Sequence, residues 1–215
     1  MSASGERRPE ASSGGAVPLL DPRGRGAHYR GLAGNLRSLD GPPDSVVVTG
    51  VGEGAGCSSV CLGLGGALVS MGLRVAVVDC NFERPRLHKM LGEPNFTGLA
   101  TALEGGGHPE GCGYEPAPGL LVIPTGPIPE DPARVLESGV LAGLVGQLRE
   151  ERDVVLLDAP RSREVRESPV FSRGFDGVLL VVHVGRTARS AAREAAEGLV
   201  GAGASLLGVV LNGRT

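Results

Sequence analysis

Apolar residues in this chain fall into short runs of two kinds. Six runs are continuous and rich in β-branched residues: DSVVVTG from Asp44, LRVAVVD ending at Asp79, LLVIP at 120–124, DVVLLDAP at 153–160, DGVLLVVHV at 176–184 and SLLGVVLN at 205–212. Runs of this length without polar alternation predict strands buried on both faces. Between them the pattern is helical, over Ala27–Leu36, from Cys57 to about Met71, near 132–150, and over an alanine-rich stretch at 187–201. Strands alternating with helices predict βαβ units, hence an α/β fold with a doubly wound, mainly parallel sheet. Residues 1–25 carry no period and are rich in Ser, Gly, Pro and Arg, which predicts a disordered leader ahead of one domain at 26–215. No internal repeat is present.

Composition narrows this picture. A chain of 215 residues with 41% hydrophobic and 21% charged positions suits a single soluble α/β domain with a real core. No apolar run approaches the ~18 residues needed to span a bilayer, and the N-terminus shows no apolar signal segment, so a cytoplasmic location is expected. A net charge of −3 leaves no basic footprint for nucleic acid or anionic lipid. Aromatics at 3%, without Trp, argue against base-stacking platforms. Cys57, Cys61, Cys80 and Cys112 form neither paired zinc-site spacing nor a disulfide framework. Lys89 is the sole lysine, so any role that needs one has a single candidate.

In parallel sheets ligands bind beyond the carboxyl ends of the strands. Those ends carry the glycine turn at 50–56, Asp79 with Asn81, Asp158 and Asn212. The turn T-G-V-G-E-G-A-G-C-S-S can simply join a strand to a helix. Its glycines also permit close approach of a ligand, and the N–H groups and dipole of the following helix attract phosphate. Gly50-x-Gly52-x-x-Ala55 with Asp79 fits a loose dinucleotide fingerprint. Alternatively the turn is a P-loop in which Gly56 is followed by Cys57 in place of lysine, Val51 replaces the leading glycine, and the Ser58 hydroxyl remains for Mg²⁺. VVLLDAP has the form of a Walker B strand whose Asp158 reaches Mg²⁺ through its water shell. Asp79 and Asp158 together are better explained by a metal–nucleotide site. Hydride transfer would need a pair such as Tyr with Lys, which Tyr114 and Lys89 do not show.

With these residues in place, the chain resembles the bacterial tyrosine kinases of polysaccharide export, a branch of the MinD/ParA-like deviant P-loop ATPases. The likeness runs from about Ala27 to Asn212, through YRGLAGNL, VVVTGVGEGAGCSS, GLRVAVVDCNFERPRLHKMLG, FTGLATALEG, LLVIPTGPIPEDPARVLESGVL, VVLLDAP, FDGVLLVVHVGRT and LGVVLNG. Its R-P-x-L-H-K and G-x-x-P-x-x-P runs are the specific ones. The resemblance implies transfer of the ATP γ-phosphate to tyrosine with Mg²⁺. It implies that Gly54, Gly56, Ser58 and Ser59, with position Cys57, cradle phosphate, and that Ser58 and Asp158 serve the metal. Asp79 would orient or deprotonate the acceptor, Asn81 would stand at the cofactor site, and Asn212 would face adenine. The implied partner is a membrane polysaccharide co-polymerase or chain-length determinant protein.

The departures shape the expectation as much as the matches. Cys57 stands where the family has lysine, Asn81 where it has a second acid, and the acid after Walker B survives as Glu167. The family's E-x-x-R-x-x-R ring motif reads Ala27-x-x-Arg30-x-x-Ala33, and the only tyrosines are Tyr29 and Tyr114. Losing a cationic phosphate contact costs ~10²–10³ in rate. The expectation is therefore weakened ATP and Mg²⁺ binding, weak or absent phosphotransfer, no stable ring, and membrane contact only through a partner. A non-catalytic nucleotide-sensing or scaffold module is the alternative, with an NAD(P)-dependent reductase behind it. A thiol at a helix N-terminus tends to have a lowered pKa, which makes a redox-reactive Cys57 the alternative to the favoured reading, a small residue tolerated after catalysis was lost.

Overall fold

The computed structural model describes residues 26–105, 108–137 and 139–213; the leader expected over 1–25 lies outside them. All six apolar runs form strands. They are β1 (Ser45–Gly50), β2 (Val75–Asp79), β4 (Leu120–Ile123), β5 (Val154–Asp158), β6 (Gly177–His183) and β7 (Leu206–Asn212). β3 (Tyr114–Ala117) was not expected, because YEPA is short, half-exposed and holds a proline. It is an edge strand held by antiparallel pairing with β4. The sheet runs β3-β4-β2-β5-β1-β6-β7, and every other pairing in it is parallel.

The expected first helix is α1 (Gly26–Arg37), and the second is α2 (Cys57–Ser70). The stretch near 132–150 forms α5 (Pro132–Glu137) and α6 (Gly139–Glu151) in place of one helix, and the alanine-rich stretch is α9 (Arg189–Gly201). Four short helices were not anticipated: α3 (Leu87–Leu91), α4 (Leu99–Gly105), α7 (Ser162–Glu167) and α8 (Pro169–Arg173). Segments of five to seven residues are too short to display a helical period.

The period of two along each strand sends alternate side chains into two cores. Val46, Val48, Val75 and Val77 pack with α1 and α2 on one face. Val47, Ala76, Val78, Val155 and Leu157 pack against the helices of the other face. Glycines let α2 sit close to its neighbours. A Cβ at Gly63 would lie 2.3 Å from the Tyr29 ring of α1, and one at Gly65 would lie 3.1 Å from Val77 of β2.

This contact sets opposite signs for two similar substitutions. Gly63→Ala should destabilise the fold despite the gain in helix propensity, because overpacking costs ~1–3 kcal/mol. Gly146→Ala, on α6 with no atom within 4 Å of the new methyl, should stabilise it by up to ~1 kcal/mol. Urea unfolding of both variants measures the contrast.

Candidate functional site

The chain leaves β1 at Gly50 and reverses through a loop in which Gly54 and Gly56 take φ of +68° and +95°. Side chains are excluded at Gly56 for a second reason: a Cβ there would fall 2.0 Å from the Asn212 Nδ2 atom. That amide donates to the Ala55 carbonyl at 2.8 Å, so the end of β7 holds the loop from behind. Val51 N–H donates to the Val181 carbonyl of β6 at 3.2 Å. Buried Thr49 donates its hydroxyl to the Pro160 carbonyl beyond β5 at 2.6 Å. Three neighbouring strands thus suspend the loop. None of the N–H groups of Gly56, Cys57, Ser58 and Ser59 finds an acceptor oxygen among the described residues, and they open the fourteen-residue α2. Such a helix start attracts anions.

Beside the loop, Asp79 and Asp158 are register partners on adjacent parallel strands. Both are almost wholly buried. Asp79 accepts backbone N–H bonds from Asn81 at 3.1 Å, Arg86 at 3.1 Å and Leu87 at 3.2 Å, the last two at the start of α3. Burial still lifts its carboxyl from 3.8 to about 6, with those three bonds pulling the other way. Asp158 is pushed well above the usual carboxylate range by burial first and the Asp79 charge second, while Ser58 and the Arg86 guanidinium oppose the rise. Its Oδ1 has no hydrogen-bond partner among the described residues.

Gly54, Gly56, Cys57, Ser58, Ser59, Asn81 and Asp158 all line one cleft. Asp79 and Asn212 are not on its wall. Asp79 lies beside Asp158 with its oxygens committed to backbone donors, so no ribose hydroxyl can reach it. Asn212 lies behind the loop. Asn81 closes the turn after β2 by accepting the Arg84 N–H at 3.1 Å. A buried, unpartnered carboxylate oxygen near the Ser58 hydroxyl is an all-oxygen donor set, and it fits a hard divalent cation such as Mg²⁺.

Burial goes against the reactive-thiol alternative for Cys57. Its thiol is not lowered: burial and then the Asp158 charge push it up to about 12, so it is a neutral thiol. Desolvation and a buried carboxylate outweigh the helix start here. Cys61 and Cys80 are likewise raised, chiefly by burial.

The sequence reading missed the charged rim. Glu53, Arg84, Arg86 and Arg161 also line the cleft. Arg84 pairs with Glu53 at 2.6 Å. Arg161 meets Glu53 at 3.5 Å, Glu83 at 3.6 Å and Glu164 at 2.9 Å. Their positions just beyond β2 and β5, the strands whose terminal acids were recognised, were the available signal.

A suspended glycine loop opening a helix, with a buried acid ending the adjacent parallel strand, is the arrangement of the P-loop fold. The family model described as cellulose biosynthesis protein BcsQ matches residues 44–196, and the chain belongs to that family. It is similar to tyrosine-protein kinase YwqD of Bacillus subtilis, 26% identical over 92% of this chain and 85% of the relative. It is also similar to putative tyrosine-protein kinase EpsB of Ralstonia solanacearum, 31% identical over 78% of this chain but spanning only 22% of EpsB. Among solved structures, the chimerical protein CapA2B2 superposes with a TM-score of 0.79 at 28% identity, covering 87% of this chain and 83% of that one. At 17% identity and a TM-score of 0.61, the fold is shared with cobyrinic acid a,c-diamide synthase of Mycobacterium smegmatis, solved with ADP and magnesium. That match covers 79% of this chain and 74% of the synthase.

The paired acids make metal-free stability depend on pH. An acid whose folded pKa is raised stabilises the fold below its unfolded value, and that contribution is lost as pH rises through the folded value. For Asp79 the window runs from 3.8 to about 6 and corresponds to roughly 3 kcal/mol. Asp158 acts in the same direction. Without Mg²⁺ the protein should lose stability between pH 4 and 7, and Asp158→Asn should flatten the loss. Adding Mg²⁺ at pH 7 should stabilise the wild type and leave Asp158→Asn unchanged in urea unfolding.

Proposed function

We propose that the chain is a cytoplasmic, Mg-ATP-binding, tyrosine-kinase-like protein that regulates exopolysaccharide synthesis or export, with weak or no phosphotransfer. The observation that carries the nucleotide assignment is Asp158: buried, with an unpartnered oxygen, near Ser58 and beneath a loop whose N–H groups from Gly56 to Ser59 find no acceptor oxygen among the described residues. Relatives named tyrosine-protein kinases support the kinase-like reading. The family's description supports a polysaccharide context.

In this reading the N–H groups of Gly56 to Ser59 hold the phosphate oxygens, with Gly54 supplying the bend that aims them. Ser58 would hold Mg²⁺ directly and Asp158 through a water. The metal, when bound, would neutralise charge on the β- and γ-phosphoryl oxygens. Asp79 orients the segment after β2 through its three backbone bonds. The γ-phosphoryl group would pass to a tyrosine hydroxyl, leaving ADP, with the phenolic proton released to base or solvent. Cys57 brings no charge to that step, and Asn81 brings none to the metal. These two positions favour a second reading, a nucleotide-sensing scaffold that docks on a membrane co-polymerase without turnover.

A ring assembly is disfavoured by α1. Of the three ring-motif positions only Arg30 is charged, and Ala33 is buried in the packing of α1 against α2. Among the described residues no helix is long and apolar enough to cross a membrane, so recruitment would fall to the partner.

Calorimetric titration with Mg-ATP tests the site. A charge-assisted lysine–phosphate contact is worth ~1.5–3 kcal/mol, so Cys57→Lys should bind Mg-ATP roughly ten- to a hundred-fold more tightly than wild type. Its nucleotide-free stability should change little. A Cys57→Lys variant that binds no better would contradict the phosphate cradle. Radiolabelled transfer to an added tyrosine peptide separates the two readings, and Cys57→Lys with Asn81→Asp is the variant expected to gain activity.

A further inference from the structure

A cleft built for several phosphate charges has no lysine in its loop, and its cation must come from elsewhere. Lys89 does not line the cleft but a neighbouring groove. Arg84 and Arg161 are on the wall, yet each is already paired with carboxylates, Arg84 with Glu53 and Arg161 with Glu53, Glu83 and Glu164. Arg86 is on the same wall, exposed, and in no ion pair among the described residues. Its backbone is tied to the paired acids: the Arg86 and Leu87 N–H groups both donate to Asp79 Oδ2, the carboxylate in register with Asp158. The root of this side chain is therefore set by the same strand pair that sets the candidate metal acid.

We propose that Arg86 supplies the positive charge that position 57 lacks, binding the terminal phosphates of the nucleotide from the β2 side of the cleft. The assignment rests on the nucleotide reading above. A guanidinium presents two parallel N–H donors to a phosphate and stays charged throughout the physiological range. Moving it onto a phosphate breaks no ion pair, whereas Arg84 would have to leave Glu53 at 2.6 Å. The cation thus enters from the loop after β2 and not from the P-loop. Position 57 could accordingly become a neutral thiol without emptying the cleft of positive charge.

The experiment is calorimetric titration of the full chain with Mg-ATP. The variants are Arg86→Gln, Arg86→Lys, Arg84→Gln, and Arg86→Gln combined with Cys57→Lys. Arg86→Gln should weaken binding about ten- to a hundred-fold, and Arg86→Lys should keep most of the affinity. Arg84→Gln should stay within about threefold of wild type, and adding Cys57→Lys should recover most of what Arg86→Gln loses. Urea midpoints of the nucleotide-free proteins should coincide, which a purely structural role for Arg86 would not give. Wild type and Arg86→Gln binding Mg-ATP equally would overturn the Arg86 assignment and leave the nucleotide site standing. Wild type failing to bind Mg-ATP at millimolar concentration would overturn the nucleotide site and this assignment with it.

Discussion

Two carboxyl groups buried side by side, Asp79 and Asp158, constrain everything around them. Each would be costly as an isolated charge in that position. The fold treats them differently. Asp79 receives three backbone N–H groups, and with them the geometry of the turn and the start of α3. Asp158 keeps an oxygen without a partner among the described residues, at the point where the N–H groups of Gly56 to Ser59, without acceptor oxygens, open α2 onto a cleft. One acid is committed to structure, and the other keeps an acceptor oxygen without a partner among the described residues.

The same constraint explains how the loop is held. Its shape needs positive φ at Gly54 and Gly56. It also needs outside support, because it makes few bonds of its own. Thr49, Val51 and Asn212 supply that support from the ends of β1 and β7 and from the β6 ladder. A parallel sheet brings all these strand ends to one side, and so the pieces assemble without any long-range loop.

Much of the fold was legible because parallel strands are buried on both faces and read as continuous apolar runs, as VVLLD and GVLLVV show. β3 and the four short helices were not, since β3 depends on its pairing with β4 and helices of five to seven residues are too short to show a period. At the site, the loop and Asp158 could be found because special residues stand at strand ends. Two features could not. The support of the loop by Asn212 joins segments 157 residues apart, and the commitment of Asp79 to α3 depends on how the chain turns back after β2. At Cys57 the helix position was visible in the sequence, and the burial beside Asp158 that keeps the thiol neutral was not.

The central claim is that the loop between β1 and α2 is a phosphate cradle, and amide hydrogen exchange reads those N–H groups directly. On adding Mg-ATP, exchange should slow selectively at Gly54 to Ser59 and at the turn after β2, with β3 on the far edge of the sheet unchanged. Unaltered exchange across Gly54 to Ser59 under saturating nucleotide, or protection confined to another part of the molecule, would contradict the account.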